Sequence, residues 1–559
     1  SCRALTRARL AELYGAGTAV PEVLVERLVD HAEGNPFYLE ELVNYLHATG
    51  MSPSDDKASS VELPESLASL VLSRVDTLAE ASRRTLKVAS VVGREFSVQT
   101  LTGSYPELGT ARQVAGSLRR ICAAGLVVPG RASAGSYAFK HAVIQEACYE
   151  TLPFSLRALV HGRVGCYLEA TEPEALDLLA HHFWHSQEEE KKREYLARAG
   201  DAAEARYANE SAVAYFRKLA GLPGTEDKGQ VLIKLGRVLE LQGTWAESEK
   251  AYGEALRLAE EGGDLGTQAW ARAHRASPMR RQGRYDEAVA ELDAAGRLFG
   301  RVGDAAGEGR VAHVRGVIAN QRGSPEEAWA HFERSLELRR ALGDRRSEAT
   351  LLDNLSIAAA HQRRYDVAQQ LSAEALALRR ELADRWGVGV SEANMGMISY
   401  LRGDNDGARA HFEAALSAQL EIGDAFSVAN ARHNLANALR ELGDGAAGAH
   451  YAEALPTYAG TADRRSLCLL YEDVAMLVAR DEPRAALRLL GAADSLRARI
   501  GSSRLDYEQE KLDLCLAGAR ARLGPAAGEE HAAGLALEES TAQELALSLC
   551  LEPAQPAAT

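Results

Sequence analysis

The chain has 559 residues, 46% of them hydrophobic and 26% charged, and its formal net charge is −15 at pH 7. This acidic balance and the lack of a basic block argue against a nucleic-acid partner. The seven cysteines are scattered without close pairs, which is typical of reduced thiols in a cytoplasmic protein rather than of a disulfide or zinc framework. Because the sequence has no long apolar run and no signal peptide, we also expect no membrane partner.

The first part of the chain predicts amphipathic helices that are interrupted once. Gly34, Asn35 and Pro36 form a break, after which residues 37–42 restart a helix. A loop rich in Ser, Asp and Lys follows at 52–60. A further helix opens at 63–67 with a proline in its first turn.

A second domain is predicted over residues 59–155. Its pattern indicates two helices and then two strands joined by a glycine turn, at 80–91, 110–125, 126–128 and 137–139. Helices followed by a hairpin favour a winged-helix domain. Its third helix carries three arginines (Arg112, Arg119 and Arg120), but the acidic chain favours a structural role over DNA binding.

Residues 156–225 predict a helical linker that contains a degenerate repeat at 207–216. Within it, His181 and His185 share a helix face, as metal-binding histidines do, with His182 beside them. Zinc prefers three or four ligands, and the sequence offers no carboxylate or cysteine close by to complete the set. We therefore predict no metal, and a half-buried helix with Phe183 or Trp184 in the core.

A block that returns every 40 residues dominates 226–500. Three sets of positions keep the period: a turn residue, a small residue before it, and a Gly-Asp or related pair. The turn residues are Gly243, Gly283, Gly323, Arg363, Gly403 and Gly443; the small residues are Gly236, Ala276, Gly316, Ser356, Gly396 and Ala436; the pairs begin at Gly263, Gly303, Gly343, Ala383, Gly423 and Ala462. Such a period indicates a stacked array with a recognition surface.

Each unit predicts two helices of about four turns. The segments between turns are rich in Ala, Leu, Glu and Arg, which favour helices. In Gly-Asp the glycine suits a left-handed C-cap and the aspartate caps the next helix. The small residues indicate where the two helices approach closely. After residue 489 the period fades, and we predict that 501–559 forms a helical cap with a disordered end at 552–559.

Asparagine recurs in three units, at Asn354, Asn394 and Asn434, and Asn430 and Asn437 share a face with the last of these. An amide both donates and accepts hydrogen bonds, so such a ladder suits the backbone of an extended peptide. Equally, each asparagine suits a bridge between neighbouring repeats. Both interpretations stand.

The repeat resembles the tetratricopeptide repeat, with glycine, turn, alanine and aromatic positions in order. The third unit reads Gly316, Gly323, Ala328, Phe332 and Ser335, and the fifth reads Gly396, Gly403, Ala408, Phe412 and Ala415. The usual period is about 34 residues, so this is a long-helix variant. The expected fold is mostly α, with a helical lid and a winged-helix domain followed by an α-solenoid of tetratricopeptide-like helix pairs over 226–500.

The front third resembles the helical and winged-helix parts of bacterial AAA/STAND-type signal-transduction ATPases. The resemblance rests on Gly-Asn-Pro-Phe-Tyr-Leu-Glu-Glu at 34–41, Ser-Arg-Val-Asp-Thr-Leu at 73–78 and Phe-Lys-His at 139–141. Such ATPases are commonly fused to class III adenylate or guanylate cyclase domains in front and to tetratricopeptide repeats behind. The resemblance implies that residues 1–58 are the helical lid of the ATPase module.

The same resemblance implies a nucleotide site for ATP or ADP in the parent protein. Pro36 would lie near the adenine with Gly34 allowing the turn, and His141 would sense the β-phosphate of ADP. The plainer alternative is that residues 34–36 only break a helix and that His141 only begins one. No phosphate-binding Gly-x-x-x-x-Gly-Lys-Ser/Thr occurs, so we expect that loop before residue 1, with weak nucleotide binding and no catalysis in this segment.

The resulting hypothesis is a regulatory segment that holds a protein or peptide in the repeat groove and controls an N-terminal effector in cis. A nucleotide cyclase is the favoured effector. The alternatives are an ATP-dependent transcription regulator of the LuxR-like or activator type, and a plain tetratricopeptide scaffold.

Overall fold

The computed structural model describes residues 2–14, 21–32, 35–48, 66–130, 135–461 and 463–551. Gly34, the predicted loop at 52–60 and the predicted disordered end at 552–559 lie outside these residues. The chain divides into two compact units, residues 1–199 and 200–559. Of the helices in the described part, none combines the length and apolarity that a membrane crossing requires.

The first unit is helical with one small sheet. Its helices are α1 (Cys2–Tyr14), α2 (Glu22–His31), α3 (Pro36–Ala48), α4 (Leu67–Asp76), α5 (Glu80–Val92), α6 (Val98–Ser104), α7 (Ala111–Ala123), α8 (Ala142–Glu150), α9 (Phe154–Thr171), α10 (Leu176–Trp184) and α11 (Glu189–Ala205), in which the unit ends. The strands are β1 (Glu95–Ser97), β2 (Val127–Pro129) and β3 (Ser136–Phe139).

The predicted hairpin of β2 and β3 is confirmed, with Val128 opposite Ala138. The sheet order is β1-β3-β2, because β1 also pairs antiparallel with β3 and sets Phe96 opposite Tyr137. The sequence analysis missed β1 and α6. A strand of three residues is too short for an alternating pattern to reveal it.

The second unit begins with the helix α12 (Asn209–Gly221) and continues as helix pairs. The pairs are α13 (Lys228–Leu241) with α14 (Trp245–Gly262), α15 (Leu265–Arg281) with α16 (Tyr285–Val302), α17 (Ala305–Gln321) with α18 (Pro325–Ala341), α19 (Arg345–His361) with α20 (Tyr365–Glu381), α21 (Arg385–Arg402) with α22 (Asn405–Ile422), α23 (Ala425–Glu441) with α24 (Ala447–Gly460) and α25 (Arg464–Val478) with α26 (Pro483–Ile500). Three helices follow as the predicted cap: α27 (Asp506–Leu523), α28 (Ala526–Leu535) and α29 (Glu539–Leu551).

The unit is an α-solenoid with an inner and an outer layer. The first helices of successive pairs contact one another from α13 to α25 and form the inner layer, and the second helices pack on them from outside. From α15 to α23 each helix has 17 or 18 residues, nearer five turns than the four predicted.

The predicted caps are confirmed. Gly263 adopts a left-handed φ of 70°, and Asp264 accepts a hydrogen bond from the Thr267 amide at 3.0 Å. The aspartates of the later pairs cap in the same way: Asp304, Asp344, Asp384, Asp424 and Asp463. Each inner helix therefore starts at a fixed residue, which keeps the array in register.

Close contact between the helices of a pair explains the small residues at the 40-residue period. A Cβ added to Gly316 would lie 2.6 Å from Cδ1 of Phe332, and one added to Gly396 would lie 2.7 Å from Cδ1 of Phe412. Where the inner helix carries alanine instead, as at Ala276, the facing residue of the outer helix is the smaller Leu292. In these three pairs the facing residues are therefore complementary in volume.

This complementarity predicts that Gly396→Ala changes the stability of the chain in a direction that depends on the residue at position 412. Gly396→Ala should destabilise the chain because the added methyl group meets the Phe412 ring, although alanine favours a helix by about 1 kcal/mol over glycine. In a Phe412→Leu background the same substitution should stabilise, because the pair then matches Ala276 and Leu292. Urea unfolding of the four proteins should give a coupling free energy of about 1–3 kcal/mol. Strictly additive effects would contradict it.

Candidate functional site

The first predicted site residue, Pro36, begins helix α3. Asn35 caps this helix, because its Oδ1 accepts hydrogen bonds from the amides of Phe37 at 3.1 Å and Tyr38 at 3.3 Å. Proline suits the first turn because its missing N–H would have no partner there. The break at 34–36 is thus a capped helix start, and its Gly34 lies outside the described residues.

The structure brings His141 to the same place. The ring centroids of Phe37 and His141 are 3.7 Å apart, so the residue after Pro36 lies on the imidazole. Beside them Lys140 Nζ and Glu40 Oε1 form an ion pair at 2.7 Å. Residues about 100 positions apart in the sequence therefore form one small polar patch at the start of α3.

His141 is neutral, and one of its ring nitrogens has no hydrogen-bond partner among the described residues. Burial and the nearby Lys140 lower its pKa, and Glu40 opposes this shift only partly. Its Nε2 is buried and has no hydrogen-bond partner among the described residues. A buried imidazole nitrogen without a partner is costly in a folded protein, and a phosphate oxygen would satisfy it if Nε2 carries the proton. The patch therefore contains one ring nitrogen that the described residues leave unpaired.

The predicted histidine trio is part of a larger cluster in the first unit. His161 of α9 joins it, and its ring centroid lies 5.6 Å from that of His181, 5.1 Å from His182 and 5.1 Å from His185. Phe183 is fully buried, as predicted for this helix. The sequence analysis missed His161 because it lies on another helix, outside any motif. In the residues described, no group of three or more His, Cys, Asp or Glu is arranged to hold a metal ion.

A directed chain of hydrogen bonds fixes the state of two of these histidines. His182 bonds to the backbone carbonyl of Val92, which only accepts, so that ring nitrogen carries a proton. The Nδ1 of His182 then accepts from Nδ1 of His161 at 3.0 Å. Nε2 of His161 is left to accept from the Tyr149 hydroxyl at 3.0 Å. In this arrangement every donor in the chain meets an acceptor while both imidazoles are neutral.

Protonation of both rings would place the Nδ1–H groups of His161 and His182 against each other. Burial and the neighbouring histidines and Arg157 lower the pKa of His161 to about 2. Burial, His181 and His185 lower the pKa of His182 to about 3, although the Val92 carbonyl favours its charged form. His161 and His182 are therefore neutral at physiological pH and belong to the structural core of the first unit.

In the second unit the predicted asparagines contact neighbouring helices. Nδ2 of Asn354 lies 2.8 Å from Nε2 of His313 in the preceding pair, and Asn394 bonds to the carboxyl group of Asp353. Asn430 accepts from the Tyr458 hydroxyl at 2.8 Å.

The last two asparagines differ from each other. Asn437 accepts a hydrogen bond from the Tyr451 hydroxyl at 2.5 Å. Asn434 is half-buried and has no side-chain hydrogen bond within the part of the chain that is described. Four of the five predicted residues thus have partners within the array, and their role towards a peptide stays a prediction.

The sequence analysis also missed the charge of the inner layer. Arg280 and Arg310 lie on it in adjacent pairs, although the whole chain is acidic. Their signal in the sequence is weak, because arginines are also common on exposed helix faces. Only the assignment of α15 and α17 to the inner layer distinguishes them.

Residues 307–381, which comprise most of α17 and all of α18 to α20, match the tetratricopeptide repeat family. No curated protein sequence matches the chain significantly.

Solved structures give distant likenesses. One is a Signal Transduction ATPase with Numerous Domains (STAND) protein with a tetratricopeptide repeat sensor from Pyrococcus horikoshii, at 14% identity over 92% of this chain and 73% of that one, with a TM-score of 0.47. Another is the Rap conjugation gene regulator of the plasmid pLS20 in complex with the Phr* peptide. It is 12% identical over 68% of this chain and 95% of that one, with a TM-score of 0.44. Aspartyl phosphate phosphatase F from Bacillus subtilis is 11% identical over 70% of this chain and 95% of that one, with a TM-score of 0.40.

The histidine chain predicts acid sensitivity of the first unit. Because the folded-state pKa values of His161 and His182 lie below the unfolded value of about 6.5, the unfolded state binds more protons between these limits. Stability should therefore be complete above pH 6.5 and fall as the pH drops, by at most about 1.4 kcal/mol per pH unit for each histidine.

Thermal melting at pH 7.5 and pH 5 measures this effect. His161→Gln should reduce the loss of melting temperature on acidification, because glutamine does not titrate. The exposed His47→Gln serves as the control and should leave the loss unchanged. An equal loss in wild type and His161→Gln would contradict the interpretation.

Proposed function

We propose that the chain is the regulatory segment of a nucleotide-gated signalling protein. The repeat array holds a protein or peptide on its inner layer, and the patch at Pro36 and His141 contacts ATP or ADP. In this proposal residues 1–58 are the helical lid of an ATPase module, and the helices and sheet up to α8 are a winged-helix domain. The phosphate-binding loop and an effector, preferably a nucleotide cyclase, precede residue 1.

The observation that supports the proposal is the buried, unpaired Nε2 of His141 beside the first turn of α3. A buried nitrogen without a partner is costly, and a ligand that bonds to it would remove that cost. The ion pair of Lys140 with Glu40 fixes the strand end that presents His141. Bound phosphate would supply an acceptor for the imidazole and place negative charge beside Lys140. The array in the same chain provides the surface for a second ligand.

In the scaffold alternative the array also binds a protein or peptide, but the patch at Pro36 and His141 binds no nucleotide. It would need no pairing between α3 and His141 beyond packing. A transcription regulator would share both features and differ in its effector. The sequence upstream of Ser1 separates these alternatives, because the proposal requires a phosphate-binding loop and a cyclase domain there. A start codon directly before Ser1 would overturn the cyclase assignment and the ATPase assignment together.

ADP binding tests the patch in the protein with its upstream segment. His141→Asn should weaken ADP binding about tenfold, the loss expected for one hydrogen bond to a charged phosphate. The matched control is His47→Asn, since His47 is an exposed histidine at the other end of α3 and should leave the affinity unchanged. Isothermal titration calorimetry measures both. The same ADP affinity in the His141→Asn protein and wild type would refute the nucleotide role.

A further inference from the structure

Four arginines lie together on the inner layer of the first repeats: Arg237, Arg280, Arg281 and Arg310. Arg310 Nη2 donates to Ser277 Oγ at 3.3 Å. Ser277 lies one helical turn before Arg280 on the same helix. Arg237 acts electrostatically on Arg310, and Arg281 acts on Arg280. We call this set the inner basic cluster.

Two of these arginines lack a negative partner. Arg237 pairs with Glu204 at 2.9 Å, and Arg281 lies 3.6 Å from Asp463. Neither Arg280 nor Arg310 has a carboxylate within ion-pair distance in the described ranges. Their hydrogen bonds go to uncharged groups: Arg280 donates to Gln321 Oε1 at 3.0 Å, Arg310 donates to Ser277, and Nε of Arg310 has no partner.

Glu240 acts electrostatically on Arg280 and Arg310 but forms no ion pair with either of them in the described ranges. Glu240 accepts a hydrogen bond from the Tyr252 hydroxyl, and burial raises its pKa against the opposing effect of the arginines. Burial, with Arg281, lowers the pKa of Arg280 to about 9, and burial lowers that of Arg310. Arg280 and Arg310 thus carry positive charge that is largely removed from water and has no ion-pair partner, which is costly unless an anion joins them.

In another repeat of the same array, a carboxylate neutralises the corresponding arginine. Arg440 stands at the position of Arg280, counted from the aspartate that caps each helix, and its Nη1 donates to Asp473 Oδ1 at 2.9 Å. Counted in the same way, the position of Asp473 is occupied by Val314 in the helix after Arg280. One repeat supplies its own carboxylate, and the other has valine there.

An apolar stripe continues from the cluster along the inner layer. At the repeat position of Ser277 the next three pairs carry Val317, Ile357 and Met397, all half-buried. Each is presented on an inner helix, α17, α19 and α21 in turn. A ligand that extends from the arginines along the array therefore meets apolar side chains after a positive end.

We propose that the inner basic cluster binds a carboxylate of an acidic peptide, whose neighbouring apolar side chains lie along Val317, Ile357 and Met397. The inference rests on the proposed peptide-binding role of the array and names the chemistry of its ligand. Guanidinium groups bind carboxylates through paired, charge-assisted hydrogen bonds. In a chain with a net charge of −15, this cluster also directs an anionic ligand to the inner layer.

Two labelled hexapeptides test the proposal on the full chain: three Glu-Leu repeats, and three Gln-Leu repeats of the same shape without charge. Fluorescence anisotropy should show that the glutamate peptide binds at least about tenfold more tightly, the effect expected of one charge-assisted pair. Inorganic phosphate is the third probe. Phosphate binding without a preference for the glutamate peptide would overturn the proposal in favour of a phosphate ligand.

Variants locate the binding. Arg280→Gln and Arg310→Gln should each weaken binding of the glutamate peptide about tenfold and leave the glutamine peptide unaffected. Arg280→Lys should retain part of the affinity, because it keeps the charge without the planar fork. The control is Arg334→Gln on the outer helix α18, where Arg334 is exposed and pairs with Glu337; its affinity should match wild type.

Melting temperature separates binding from folding. Because Arg280 and Arg310 have no ionic partner to lose, their glutamine variants should melt at the wild-type temperature or above it. Equal affinity for the two peptides, unchanged affinity of both variants, or a fall of several degrees that accompanies the lost affinity would each overturn the inference. The ADP measurement on His141 is independent of these outcomes, so the proposed function can stand or fail separately.

Discussion

The closest approach of the two helices in each pair is the constraint on which the array depends. At Gly316 and Gly396 the inner helix gives up a side chain, and the outer helix fills the space with an aromatic ring. Since the ring occupies the volume that a Cβ would need, the two positions are chosen together. The same spacing brings each inner helix to a fixed depth, which aligns successive inner helices and creates a continuous face from separate repeats.

Local rules account for most of what the sequence predicted correctly. The capping aspartates, the left-handed residues at the turns and the small positions all act within one repeat, so their signals recur in the sequence. The side chains that carry chemistry obey no such rule. Tyr149, His161 and His182 come from three helices, and the open nitrogen of His141 is visible only once α3 lies beside it. Such contacts depend on tertiary packing, which one sequence does not encode in any local pattern.

Three histidines of the first unit, His141, His161 and His182, are neutral in different surroundings and therefore suit different roles. His161 and His182 are locked into a chain in which every donor and acceptor is used. Nothing remains for a ligand, so the chain stabilises the fold. His141 is also neutral, but one of its nitrogens is unused. A ligand that brings negative charge would favour the protonated ring and strengthen its hydrogen bond.

The buried arginines of the array also fall into two groups, those with a carboxylate partner and those without one. In the later repeats Arg379 binds Asp353 and Asp384, Arg440 binds Asp473, and Arg497 binds Glu472. Each of these ion pairs links neighbouring helices of the array or their caps, and removal of either partner would leave a buried charge. Arg280 and Arg310 occupy comparable surroundings without such acids. Because the same architecture neutralises its arginines elsewhere, the first repeats differ by composition and not by geometry. That difference is what a surface selected for binding, rather than for stability, would require.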